Sequence, residues 1–111
     1  MDRFEIDKSW EDKDSPVNKV FQSLPVALKK SIAKKLTFFE GLTTMNLLKS
    51  NDLEKLKGYS HVLYELKFQT NPPYRMLGTC TRNLYNPLHM FSKRSKRIPP
   101  REIKTALKRI Q

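Results

Sequence analysis

From Val62 onward the apolar residues of this chain recur at every second position, whereas before it they recur at every third or fourth. A two-residue period belongs to a strand and a 3.6-residue period to a helix, so the change divides the chain into a mainly helical first part and a strand-rich second. With 111 residues there is room for one compact domain, 1–111, and a hydrophobic fraction of 38% is ample for its core.

Residues 3–7 alternate Phe4 and Ile6 against Arg3, Glu5 and Asp7, which predicts a short strand. Ser15-Pro16 supplies a cap and a first-turn proline for a helix carrying Val17, Val20, Phe21 and Leu24 and ending near Ser23. Ser23 is expected to cap a second helix, with Pro25 in its first turn and Leu28, Ile32, Leu36 and Phe39 as its apolar stripe, closing at Gly41. Its lysines, Lys29, Lys30, Lys34 and Lys35, read as a solvated face. Residues 43–50 suit a short helical turn, and Leu53 to Lys57 read equally as helix or strand.

In the strand region, Val62, Tyr64, Leu66 and Phe68 fall on one face and Leu63, Glu65, Lys67 and Gln69 on the other. Asn71-Pro72-Pro73 predicts a tight reversal into residues 74–80, where Tyr74, Met76 and Cys80 oppose Arg75, Leu77 and Thr79. Tyr64 and Tyr74 read as core residues rather than base-stacking platforms. A third run, Leu84 to Phe91, contains Pro87, which cannot donate to a ladder and predicts an edge position or a bulge. Ser92 to Ile98 reads as a basic loop, and Pro99-Pro100 opens a closing helix with Ile103, Ala106, Leu107 and Ile110 on one stripe. The expected order is strand, two helices, three strands, one helix. That is an α+β domain of two layers, two N-terminal helices and a C-terminal helix packed on a small, mainly antiparallel sheet.

Charge is distributed unevenly. Residues 1–65 carry 11 Lys+Arg against 10 acids, a net +1, while residues 66–111 carry 11 Lys+Arg against Glu102 alone, a net +10. Crowding like charges into one part of a small domain costs folding free energy, so a polyanionic partner is expected, nucleic acid first. The alternatives are a basic surface kept for solubility and an acidic protein partner. The single cysteine, Cys80, excludes an intrachain disulfide and fits a cytoplasmic protein. The start of the chain lacks the pattern of a signal peptide and no run is long enough to span a membrane, so neither secretion nor a membrane role is expected.

Several kinds of chemistry are excluded by absence. The chain has no Gly-rich phosphate loop, no H-E-x-x-H, no C-x-x-C and no Gly-x-Ser-x-Gly, and with His61 and His89 as its only histidines it has no His-rich metal centre. No metal or other cofactor is expected. Lys, Arg, His and Tyr side chains still suffice for one reaction, attack of a ribose 2′-hydroxyl on its own adjacent phosphate. There the RNA supplies the nucleophile, and the protein aligns it, spreads positive charge over the phosphoryl oxygens and moves two protons.

The chain resembles the HigB-like, phage-associated branch of the RelE/ParE toxin superfamily. The resemblance is carried by Ser15-Pro16-Val17 through Pro25, Leu56-Lys57-Gly58, Leu63-Tyr64-Glu65-Leu66-Lys67-Phe68, Tyr74-Arg75 and, most specifically, Leu88-His89-Met90-Phe91-Ser92-Lys93-Arg94 through Ile103. Met90 and Ile98 stand where the family pattern has Gly and Thr. The resemblance implies a RelE-like fold and a ribosome-dependent endoribonuclease that cleaves mRNA and inhibits translation. It also implies neutralisation by a cognate antitoxin, often of helix-turn-helix type. On the matching positions it implies Lys67, Arg75, His89 and Lys93 as catalytic residues, and Arg82, Arg94, Lys96 and Arg97 are assigned to RNA binding. His89 is expected to point opposite Leu88 and Met90 and is the first candidate for proton transfer, with Tyr85 and Lys67 as rivals and a merely hydrogen-bonded strand histidine as the bland alternative. His61 has no assigned role. Two other functions fit the same letters: a ParE-like, non-catalytic inhibitor of gyrase, and a basic module that binds nucleic acid or ribosomes without chemistry.

Overall fold

The computed structural model of the protein describes residues 3–110. Five strands, β1 (Glu5–Ile6), β2 (Leu53–Leu56), β3 (Leu63–Phe68), β4 (Tyr74–Thr81) and β5 (Leu84–Ser92), form one mixed sheet in the order β1-β5-β4-β3-β2. β1 runs parallel to β5, and the other neighbours are antiparallel. Four helices accompany it, α1 (Pro16–Gln22), α2 (Val26–Glu40), α3 (Thr44–Ser50) and α4 (Pro100–Lys108), with a 3₁₀ turn at Lys8–Glu11. No helix among the described residues is long and apolar enough to cross a membrane.

The fold is α+β, with more elements than the expected order. The short turn expected at residues 43–50 is a full helix, α3, capped by Thr43, whose side chain accepts from the Asn46 N–H and satisfies a first-turn donor. The ambiguous segment after it is a strand, β2, paired along β3 from Leu53 opposite Leu66 to Leu56 opposite Leu63. Ser23 does not cap α2. Its hydroxyl donates back to the Val20 carbonyl and closes α1, and α2 begins after Pro25 without a side-chain cap. Instead of a tight reversal, Gln69 to Pro73 form a longer connection, since Phe68 pairs with Tyr74, and its Asn71–Pro72 peptide is cis.

The largest correction concerns layers. Helices α1 to α3 cover one face of the sheet, where Phe4, Ile6, Ile32, Leu36, Phe39 and Leu47 pack with Leu66, Phe68, Met76 and Met90. Helix α4 covers part of the other face, burying Ile103 and Ala106 against Leu63, Leu77, Leu88 and Phe91. The domain therefore has three layers rather than two, and the face that carries Glu65 and Lys67 is partly covered. This burial supplies the second core, and it leaves the Lys67 end of the face open.

Pro87 sits at the predicted bulge. Leu77 pairs with His89 and Gly78 with Pro87, so Leu88 is an extra residue in β5. The bulge breaks the alternation: Leu88 packs into the α4 cluster and the next residue, His89, bonds to α4 as well. The expectation that His89 points away from Leu88 is thereby corrected. Gly78 lies opposite, where a Cβ would collide with the Asn86 backbone and the Tyr85 ring. At the far end of the β4–β5 hairpin Arg82 and Asn83 both take positive φ, 51° and 71°, the geometry of a two-residue turn whose twist matches its strands.

Candidate functional site

Lys67 on β3 and Arg75 on β4 are directly opposite in the ladder. Like charges so placed repel, and two carboxylates on neighbouring strands relieve them. Lys67 Nζ donates to Glu54 Oε1 at 2.7 Å. Arg75 Nε lies 3.1 Å from Glu65 Oε2, and its Nη1 donates to the Phe68 and Tyr74 carbonyls at 3.3 and 3.1 Å. Lys93, just past β5, approaches the same Glu65 oxygen at 3.7 Å.

Glu65 is only 2% exposed and its Oε2 atom, like Arg75 Nε, has no aligned hydrogen bond, so their 3.1 Å approach is an ion contact without directional pairing. A buried carboxylate is tolerated when paired, and here one carboxylate serves two cations. The backbone beneath both lysines belongs to the sheet: the Lys67 N–H donates to the Asp52 carbonyl and the Lys93 N–H to the Pro73 carbonyl. The cations are thus carried on or beside rigid elements, and both lysines border an open space.

That space is a groove of about 910 Å³ lined by Lys67, Lys93, Lys96 and Arg97, by Glu54 and Glu65, and by Leu56, Tyr59 and Ile98. Two of the expected catalytic residues, Lys67 and Lys93, therefore share one concavity with two of the expected RNA-binding residues. Arg75 lies beside Glu65 without lining the groove. Arg94 is exposed on the following loop. Arg82 sits on the hairpin turn, seven residues along β4 from Arg75 and so roughly 23 Å away at the rise of a strand.

His89 is held elsewhere, between β5 and α4. Its Nε2 is 2.8 Å from Glu102 Oε1, and Arg109 Nη1 donates to its Nδ1 at 3.2 Å and to the Leu88 carbonyl at 2.9 Å. Arg109 selects the tautomer in which Nδ1 accepts and Nε2 donates. The ring also stacks on Phe91, with centroids 5.4 Å apart. Tyr85, one of the two rivals for proton transfer, is fully buried, its hydroxyl bonded to the Tyr64 and Met76 carbonyls. Burial pushes its phenol well above the usual range, which ends that candidacy. Tyr64 and Tyr74 pack against the larger core, as read.

Three groove residues escaped the sequence reading: Glu54, Glu65 and Tyr59. The carboxylates are cross-strand partners of each other, a relation visible only once β2 is known to pair with β3. A second cavity, of about 500 Å³ between Trp10, Pro87 and Arg109, gathers none of the predicted site residues.

A family model described as Phage derived protein Gp49-like (DUF891) matches residues 19–111, a span that takes in every residue of the groove. No curated protein and no solved structure matches the chain.

Proposed function

The chain belongs to the Gp49-like family of phage-derived proteins, a RelE/toxin-like family, and from that premise we propose that it is a toxin that cuts mRNA on translating ribosomes. The observation that supports this reading is the convergence of Lys67, Lys93, Lys96 and Arg97 on one open groove.

In the proposed reaction the scissile phosphate lies on the Lys67 and Lys93 ammonium groups, with Arg75 adding positive potential from beside Glu65. The ribose 2′-oxygen attacks the adjacent phosphorus, a 2′-O–P bond forms and the P–O5′ bond breaks. Glu54, whose carboxylate is half exposed and touches Lys67, accepts the 2′-hydroxyl proton, and a groove lysine returns one to the departing 5′-oxygen. The products are a 2′,3′-cyclic phosphate and a 5′-hydroxyl. His89 takes no part in the proposed chemistry, since both of its ring nitrogens are engaged away from the groove. A cognate antitoxin, acidic where it meets the residues 66–111 surface, would occupy the same cations.

The test is induction in cells with mapping of mRNA ends, in the unsubstituted protein and in Lys67→Ala and Lys93→Ala. New mRNA ends that vanish in both variants are expected. DNA breaks or filamentation without mRNA cuts would replace the proposal with gyrase inhibition.

A further inference from the structure

We infer that Tyr59 is a stacking platform for one nucleobase of a single-stranded RNA whose phosphates rest on the lysines of the groove. The inference rests on the RNA reading above and adds to it the contact that would hold a base. Tyr59 lies on the loop between β2 and β3 and is 48% exposed, yet it lines the same groove as Lys67 and Lys93. Among the described residues it makes no side-chain hydrogen bond and no aromatic pair, unlike Trp10, Phe39 and Tyr85, each of which has an aromatic partner. Gly58 before it takes a φ of +97°, a backbone state that L side chains rarely adopt, so the turn that delivers Tyr59 is built into the chain.

An exposed aromatic ring with no intramolecular partner, beside a row of cations, matches one ligand chemistry closely. A nucleotide offers a flat π-face and an anion a short distance away, and single strands are recognised by that pairing of stacking with backbone charge. Leu56 and Ile98 also line the groove and add apolar surface to its wall. An acidic peptide would use the cations and leave the ring idle. Because every base has a π-face, Tyr59 is expected to strengthen binding with little choice among bases.

The experiment uses the full chain and a short single-stranded oligoribonucleotide, 2′-O-methylated throughout so that it cannot be cut, with binding followed by fluorescence anisotropy at low salt. Tyr59→Ala is expected to weaken binding roughly 5- to 150-fold, the range for loss of one base stack. Tyr59→Phe, which keeps the ring, is expected to bind like the unsubstituted protein. A series of oligonucleotides with one abasic position each should contain one member on which Tyr59→Ala and the unsubstituted protein bind alike. If the unsubstituted protein binds no oligonucleotide, the RNA reading falls and the stack with it. If it binds and Tyr59→Ala binds equally, or Tyr59→Phe is as weak as Tyr59→Ala, or no abasic position erases the difference, the stack alone is overturned.

Discussion

Two clusters on the same face of the sheet each set basic groups against a carboxylate, and they differ in what is left over. At the α4 end, His89 bridges Glu102 and Arg109, and Arg109 also donates to the Leu88 carbonyl. At the groove end, Glu65 is approached by two cations without an aligned hydrogen bond to its Oε2, and Lys67 and Lys93 line open volume. Charge count does not distinguish the two clusters. Unspent hydrogen-bonding capacity next to space does, because a ligand adds interaction free energy only where the protein has not already used its donors.

The largest effect expected from this contrast is on turnover. Removing either groove lysine, as Lys67→Ala or Lys93→Ala, should lower mRNA cleavage by roughly 10²–10³, the usual loss for one electrostatic donor to a developing charge. Stability should change by no more than about 1 kcal/mol, since the lysines' carboxylate partners keep solvent or a second cation. Cleavage rates beside denaturant midpoints check both halves, and a folded lysine variant that still cuts would erase the distinction between the clusters.

Next in size is the buried carboxylate. Glu65→Leu leaves the largely buried Arg75 side chain without its counter-ion, and the loss should be about 3–5 kcal/mol in urea unfolding. Glu65→Leu combined with Arg75→Leu should recover much of that stability while activity stays low. A double variant no more stable than the single one would mean that the pair does not behave as a pair.

Much of the fold was legible from local signals, periodicity and proline placement. The strand at residues 63–68, the bulge at Pro87, the helix from Pro16 and the stripe of α4 are local patterns, and local patterns survive in the letters. Which face α4 would cover was not legible, because Leu63, Glu65 and Lys67 mix apolar and charged residues where one end of a face is buried and the other open. The bulge hid the orientation of His89 by shifting the alternation by one residue, so a histidine matched by motif turned out to belong to the α4 contact. Within the groove, Lys67, Lys93, Lys96 and Arg97 stood out as part of a basic excess, whereas Glu54 and Glu65 were lost among the acids of a balanced first part. Their role depends on cross-strand register, which spacing does not encode. Tyr59 lay in a loop with no period at all.

A smaller effect separates a structural histidine from a proton-transfer group. His89→Asn removes the imidazole bonds to Glu102 and Arg109, and should cost about 1–2 kcal/mol of stability. Cleavage by the folded variant should stay close to that of the unsubstituted protein, measured well below its melting midpoint. A general acid or base would instead show a loss of roughly 10²–10⁴ there, and such a loss would move the α4 cluster into the chemistry.

The smallest expected effect concerns the lip of the groove. Lys96 and Arg97 line it from an exposed loop, with the Arg97 carbonyl accepting from Ser95 Oγ at 2.6 Å, so their side chains act through charge more than through fixed geometry. Each cation that neutralises a single-strand phosphate should contribute about 0.7 to the slope of log affinity against log salt. Lys96→Ala and Arg97→Ala are therefore expected to flatten that slope by about 0.7 apiece with little change in stability, whereas Arg109→Ala, in the closed cluster, should leave the slope unchanged and lower the melting temperature. Equal slopes in all three would show that the oligonucleotide does not track the loop from Lys93 to Arg97, and the groove would then have to bind its phosphates deeper, on Lys67 and Lys93 alone.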